Sequence, residues 1–333
     1  MLEPDQNIGL PAQAPFVDVS YLDMEAARTR QEGATNILGV VGFGTGRPDF
    51  LPLSCPFVAA PLRPAASSAM LEIWHTTSAC HAVKFGPVTG ACGDHLAFGE
   101  ITLDETGNAS FEAVVEAAYI AIFDFLDASG FSSPIRFWNY LSRITQDEDG
   151  LERYRRFNIG RHRAFSARLR EDLPPAASGV GGNHGPSVIY FLAGHAPARP
   201  VENPRQVSAF SYPPLYGPKS PSFSRASVYR LGASSLMFIS GTASIIGHES
   251  RHDNDLHNQV AETIENLRAV IAAAGVSCAG NWAFKIYLHD PKDLDIVNQA
   301  LIAAFGPGTQ RVYLHGDVCR SELLVEIEAF RQT

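Results

Sequence analysis

Cysteine is scarce in this chain of 333 residues: there are five, an odd number, spread over Cys55, Cys80, Cys92, Cys278 and Cys319. That usage argues against a disulfide framework and fits the reduced thiols of a cytosolic protein, and the spacing forms no metal pattern. Basic charge is short as well, with 26 Lys and Arg against 35 Asp and Glu and a net charge of −9. A nucleic acid or an anionic membrane would need a basic patch that these residues do not form in sequence, so the charged partner left open is a small anion met by a few convergent arginines. No apolar run approaches the length of a membrane span. The segment from Met1 to Pro15, with Glu3 and Asp5 and no basic-then-apolar run, does not read as a signal peptide. A His-Glu-x-x-His zinc motif is missing too: His248, His252 and His257 share a polar stretch with Glu249, Asp253 and Asp255, but no sustained helix aligns them, which suits a solvated loop or a lid. Gly42-Phe43-Gly44-Thr45-Gly46 lacks the Lys-Ser/Thr that would complete a phosphate loop. A cytoplasmic enzyme or binding protein, with no metal and no cofactor, is the simplest expectation.

What is present is the composition of a folded protein, 45% hydrophobic and 18% charged, long enough for two domains or one large one. Ile37 to Gly44 is a Val- and Ile-rich run closed by glycine and predicts a buried strand; Leu71 to His75, His81 to Phe85 and His95 to Ile101 predict further strands, with Gly86, Pro87, Gly90 and Gly93 marking turns. At Phe111 the period changes. Phe111, Val114, Val115, Ala118, Ile122, Phe125 and Leu126 share a helical face, and Ser129-Gly130 ends that helix. A strand over Pro134 to Leu141, a second helical stretch through Arg163 and a strand over Val188 to Leu192 complete the first half.

The second half repeats the order. Leu236 to Ile239 reads as a strand, Leu256, Val260, Ile264, Leu267 and Ile271 as the apolar face of a helix ending at Ala274-Gly275, and Ala283 to Leu288 as a strand. A helix from Leu294 to Phe305 and a strand from Leu323 to Phe330 follow. The expectation is an α/β (α+β) chain of two mixed-sheet units with helices on one face, divided into 1–197 and 198–333 and related by internal duplication. Pro197 to Arg225, rich in Pro, Tyr, Ser and Gly, reads as an ordered connection.

On the last strand Leu323, Val325 and Ile327 form an apolar face, and Glu326 and Glu328 stand two apart on the other, where period-2 logic puts solvent or a site. Arg311, fifteen residues before Glu326 in an EIEA strand, together with Leu236-Met237-Phe238-Ile239-Ser240-Gly241-Thr242-Ala243, resembles the RidA/YjgF family. In that family an arginine grips a substrate carboxylate, a glutamate handles a proton or water, and sheets under paired helices associate with threefold or pseudo-threefold symmetry. Tyr154 to Arg161, Asn203-Pro204-Arg205-Gln206, Tyr212 to Pro218 and Phe223-Ser224-Arg225-Ala226, in that order, resemble the chorismatases over most of the chain.

The chorismatase resemblance implies a substrate with two carboxylates, each best held by a guanidinium. It assigns these to Arg161 and Arg225, with Tyr154 and Tyr212 as hydroxyl donors and Arg311 as a further positive group; Arg205 is left open between a site and a structural role. Glu326 is expected as the general acid: cleaving an enol ether starts with a proton delivered to the methylene carbon, and burial would raise a glutamate's pKa from about 4.3 towards 6 or more. Leu324 is expected to supply apolar wall and Glu328 to be structural. Gly232 and Cys319 resemble the residues of the members that form hydroxybenzoates rather than a dihydrodiol. The implied activity is conversion of chorismate to pyruvate and 3-hydroxybenzoate, with 4-hydroxybenzoate as a second isomer, by a homotrimer or by a monomer with pseudo-symmetric halves. Two alternatives remain at this level: a hydrolase giving 3,4-dihydroxydihydrobenzoate, and a RidA-like enamine deaminase or small-molecule binder.

Overall fold

A computed structural model describes residues 15–31, 34–170, 172–182 and 185–333. The N-terminal stretch considered for a signal peptide thus lies outside the described residues, apart from Pro15. The chain opens with β1 (Val17–Leu22), α1 (Met24–Gln31), β2 (Ile37–Phe43), β3 (Phe57–Ala60), the short β4 (Arg63–Pro64) and β5 (Met70–Thr76). Four of these strands form a sheet in the order β1-β5-β2-β3. β2 and β5 answer to the strands expected over Ile37 to Gly44 and Leu71 to His75, whereas β1, α1, β3 and the gathering of these strands into a separate sheet had no counterpart in the sequence-based expectation.

The next segment runs β6 (His81–Phe85), β7 (Val88–Cys92), β8 (Leu96–Thr102), α2 (Phe111–Ser129), β9 (Ser133–Ser142), the hairpin β10 (Asp147–Glu148) and β11 (Leu151–Glu152), α3 (Arg153–Arg168), β12 (Ala176–Gly182) and β13 (Val188–Gly194). The last runs β14 (Arg199–Val201), β15 (Ala226–Leu231), β16 (Ser234–Thr242), the hairpin β17 (Ile245–Ile246) and β18 (Glu249–Ser250), α4 (Leu256–Ala274), β19 (Ala283–Leu288), α5 (Leu294–Phe305), β20 (Gln310–His315) and β21 (Val325–Gln332). The long helices start and stop where local chemistry tells them to. Ser110 Oγ accepts from Ala113 N and Asp255 Oδ1 from Asn258 N at the two N-termini, while Gly130 and Gly275, at φ 78° and 76°, close the C-termini in the left-handed conformation.

The two segments are one topology used twice. A hairpin, a helix, a strand, a helix and two strands give the sheet order β7-β8-β13-β9-β12 in the first and β15-β16-β21-β19-β20 in the second. In each the third and fourth strands pair in parallel, β9 with β12 and β19 with β20, and the other ladders are antiparallel. The helices cover one face of each sheet: α2 and α3 pack on Ile101, Phe137, Ile189 and Phe191, and α4 and α5 on Phe284, Ile286, Val325 and Ile327. The opposite faces of all three sheets meet in one core, where Trp74 of β5, Trp138 of β9 and Phe238 and Phe330 of β16 and β21 pack together in tilted and edge-on contacts. β4 also pairs with β20, which ties the first sheet to the second repeat. No helix among the described residues is long and apolar enough to cross a membrane.

Both faces of β21 are therefore covered. Glu326 and Glu328 point inward together and are each 5% exposed, so neither faces water and both are buried carboxylates that need an explanation.

Candidate active site

Tyr154, Asn158 and Arg161 follow one another at helical spacing on α3, so they share a face. The start of the helix is pinned by Arg153, whose guanidinium bonds Glu105 at 2.6 Å and Glu148 at 2.7 Å, and Arg156 adds an ion pair to Glu112 at 2.6 Å. α3 runs to Arg168, five residues beyond the sequence expectation. Behind Tyr154 lies Gly179 of β12; a Cβ there would stand 3.1 Å from the tyrosine ring, so the glycine admits the ring against the strand.

The seam between the repeats is made at a β-bulge. Between Ile239 and Thr242 the register of β16 against β21 shifts, which frees the backbone around Ser240 and Gly241 from the ladder. Ala177 N then donates to Ser240 Oγ at 2.9 Å, and Gly241 N donates to Ser178 Oγ at 2.9 Å, stitching β12 to β16. Glu326 reaches this seam from β21. A Cβ added at Gly241 would run into its Oε1, so the glycine is what gives the carboxyl its place.

Around the seam is a cavity of about 260 Å³, a size for a small molecule. Tyr154, Arg161, Tyr212, Arg225, Cys319 and Glu326 all line it, together with Ala177, Ser178, Phe223, Gly241, Ala243 and Leu323. The apolar wall comes from Leu323, whereas Leu324 is not among the lining residues. Arg161 and Arg225 are 2% and 6% exposed. Arg225 donates to Val207 O at 2.9 Å and to Tyr212 Oη at 2.8 Å, while its Nε and the Nε and Nη2 of Arg161 have no hydrogen-bond partner among the described residues. Buried cationic donors without partners are costly, which marks them as donors awaiting an anion.

The mouth is built by the ordered connection between repeats. Tyr212 follows the single 3₁₀ turn Ala209–Ser211, and Tyr216 is the last residue of a second, Pro214–Tyr216. The guanidinium of Arg320 lies 4.2 Å from the centre of the Tyr216 ring and donates to His248 O and Ser250 Oγ, both at 3.0 Å. Glu152 and Arg155 complete the rim. His248 is engaged here, 3.2 Å from Tyr216 Oη, while His252 lies 3.7 Å from Glu262 and His257 is on α4. Among the described residues no group of three or more His, Cys, Asp and Glu is placed to hold a metal ion.

The two inward carboxylates differ in protonation. Burial, reinforced by the charge of Glu328, pushes the Glu326 carboxyl up to about 8 against the pull of Arg136 and Arg225. For Glu328 burial acts in the same direction, but Lys285 and Arg136 and the hydrogen bonds from Ser178 and Trp138 outweigh it and hold the group below its ordinary range. Near neutral pH one is an acid and the other an anion. Burial and then Glu326 push the Cys319 thiol up to about 12, so it stays protonated and acts as a small, weakly donating group.

Two residues expected in the site lie elsewhere. Arg311 is on β20, separated from β21 by β19, and its guanidinium bonds Gly306 O, Pro307 O and Thr309 Oγ1 around the turn after α5. The intervening strand keeps it from the cavity. Gly232 sits in the β15–β16 turn at φ +59°, where it serves backbone geometry and a Cβ would meet Pro15; the glycine beside the acid is Gly241. Arg205 is also structural, paired with Glu262 at 2.6 Å and bonded to Asn266 Oδ1 at 2.7 Å. Sequence reasoning missed Ser178, Glu152, Arg155 and Arg320. Ser178 stands in an Ala-Ala-Ser-Gly-Val-Gly-Gly strand for which no element was expected, and the usable signal was the parallel repeat, which requires a strand before β13.

Comparison with known proteins supplies an independent view. The family described as "Chorismatase FkbO/Hyg5-like, N-terminal" matches residues 72–193. The chain is 35% identical to a 3-hydroxybenzoate synthase of Streptomyces hygroscopicus over 93% of its own length and 95% of the relative's. It is 34% identical to a chorismatase of Streptomyces rapamycinicus over 96% of this chain and 98% of that one. A crystal structure of a chorismatase superposes with a TM-score of 0.83 at 29% identity, covering 95% of this chain and 98% of the other.

Proposed function

This chain belongs to the chorismatase family, and on that premise we propose that it is an enzyme that cleaves the enolpyruvyl ether of chorismate to pyruvate and 3-hydroxybenzoate with its own side chains alone. The observation that carries the reading is the pairing of a protonated buried carboxyl, Glu326, with two buried guanidiniums that keep unused donors in one small cavity. A substrate with one carboxylate on its ring and another on its enolpyruvyl arm matches two separated cations. Glu326 gives its proton to the terminal methylene carbon; positive charge develops on the ether carbon, and the bond from the ring to the ether oxygen is weakened for cleavage. Arg161 and Arg225 hold the dianion, with Tyr154 and Tyr212 as neutral hydroxyl partners.

The product is decided after protonation. Pyruvate and a hydroxybenzoate together contain the atoms of chorismate, so aromatisation consumes no water, whereas the dihydrodiol retains one. Cys319, a thiol on the wall, favours rearrangement of the ring over attack by water. The 3-hydroxybenzoate synthase among the relatives supports this outcome. Incubation with chorismate in buffer alone, with pyruvate assayed enzymatically and aromatic products resolved by chromatography, tests it. Equimolar pyruvate and 3-hydroxybenzoate are expected; a dihydrodiol as the main product refutes the product assignment, and absence of pyruvate refutes the activity.

A further inference from the structure

Glu328 is bound far more elaborately than a filler of core space requires. Its carboxylate accepts from Trp138 Nε1 at 2.5 Å, Ser178 Oγ at 2.6 Å, Arg136 at 2.7 Å and Tyr287 Oη at 3.0 Å, and Lys285 Nζ stands 3.2 Å away. Lys285 is shared with Glu72 at 2.6 Å, so the cluster holds two carboxylates and two cations, all buried. A buried ionic cluster of this kind contributes little net stability compared with an apolar packing of the same volume, so stability alone does not account for it.

The position suggests a further role. Glu326 and Glu328 are two residues apart on one strand face, about 7 Å between Cα atoms. Ser178 links them physically: it donates to Glu328, accepts from Gly241 N and lines the cavity beside Glu326. The groups that face Glu326 are Glu328 on its own strand, Arg136 from β9, Arg225 from the edge of β15, Tyr154 from α3 and Cys319 from the loop before β21. Tyr154 and Cys319 are neutral near pH 7, since burial raises both. The arginines favour the carboxylate form, and Glu328 is the one anion among them.

We propose that Glu328 is a positioning residue for the reaction: clamped as an anion by Arg136, Trp138, Ser178, Tyr287 and Lys285, it helps hold the transferable proton on Glu326 against the pull of Arg136 and of the substrate-gripping Arg225. The inference rests on Glu326 being the acid. Burial is the larger cause of the raised Glu326 pKa, and the fixed charge of Glu328 adds to it, so that a pocket with two cations for a dianion still keeps a carboxylic acid protonated.

The pH profile of kcat for pyruvate release is the test. In the wild type the rate is level at low pH and falls as Glu326 loses its proton on passing about pH 8. Glu328→Gln removes the anion, leaving Arg136 uncompensated and Lys285 paired with Glu72 alone, so the falling limb should move to lower pH by about one unit or more. Arg136→Gln removes a cation that faces Glu326, so its limb should move to higher pH. A merely structural role would move both limbs in the same direction or neither. A Glu328→Gln limb that stays in place or rises overturns the proposal. If that variant does not fold, an Arg136→Gln limb that fails to rise does the same. The underlying reading fails separately: a wild-type profile without the limb, or a Glu326→Gln variant of full activity, removes Glu326 as the acid and the proposal with it.

Discussion

The two repeats share their order of strands and helices, but their last strands differ in the one property that matters for chemistry. β13, Val188–Gly194, is Val-Ile-Tyr-Phe-Leu-Ala-Gly and carries no charge, whereas β21 at the same place in the second repeat carries Glu326 and Glu328. The middle strands differ in a matching way. Lys285 of β19 stands opposite Glu328 across the ladder, while Arg136 of β9 stands opposite Leu192 and reaches Glu328 in the other repeat. Duplication supplied two similar scaffolds, and the site arose at their junction from what they no longer share: the second repeat provides the acid and the first provides Tyr154, Arg161 and Ser178. A pocket between unlike halves can place cations and an acid on opposite walls, which a symmetric pair would find hard to do without repeating the same charge.

Breaking the acid side should have the largest effect. Glu326→Gln keeps shape and hydrogen bonding but removes the proton to be transferred, so pyruvate release should fall by roughly 10²- to 10⁴-fold while an unreactive chorismate analogue still binds. Stopped assays with calorimetric titration of the analogue separate the two quantities. Breaking the gripping side comes next. Arg161→Ala in the first repeat, or Arg225→Ala at the junction, leaves one substrate carboxylate buried and unpaired, and the dissociation constant should rise by roughly 30-fold or more. Binding unchanged in either variant would remove that arginine from the site.

Product choice sharpens the comparison at the wall between the halves. Cys319→Val removes the thiol from the wall and leaves Gly241 and Glu326 as they are. The variant should still release pyruvate, with the aromatic product falling severalfold relative to the dihydrodiol. Chromatography of the two product sets decides it, and an unchanged ratio would clear Cys319 of a directing role. The smallest effect is expected outside the junction. Arg311→Ala loses only bonds around the turn after α5, so KM should stay within about twofold, and thermal unfolding should register a loss of about 1 kcal/mol.

Much of the scaffold is local in origin. α2 and α4 are written in apolar faces closed by Gly130 and Gly275, and β19 and α5 have the bounds that periodicity predicts, because a helix or strand that buries one face must repeat its apolar residues at that spacing. The alternation on β21 likewise placed Glu326 and Glu328 together. It left open whether their side was wet, since that depends on a second sheet arriving to cover it. β12 escaped notice for a related reason: its glycines are there to let Tyr154, Ile144 and Pro61 approach, and those partners lie between 25 and more than 100 residues away in sequence.

By itself, then, the sequence determined the order of the elements, the repeat and the types of residue available for chemistry. Period, capping and composition act within a few residues, so they can be read along the chain. Only the tertiary structure decided that Arg311 and Gly232 stand outside the cavity, that Gly241 and Ser178 stand in it, and that of two glutamates on one strand face Glu326 keeps its proton and Glu328 does not. Those distinctions come from which strand intervenes, where the ladder of β16 bulges and which distant cations, Arg136 and Lys285, close on one carboxylate. Electrostatic environment is the sum of groups brought together by folding, and nothing in the neighbours of Glu326 and Glu328 along the chain records it.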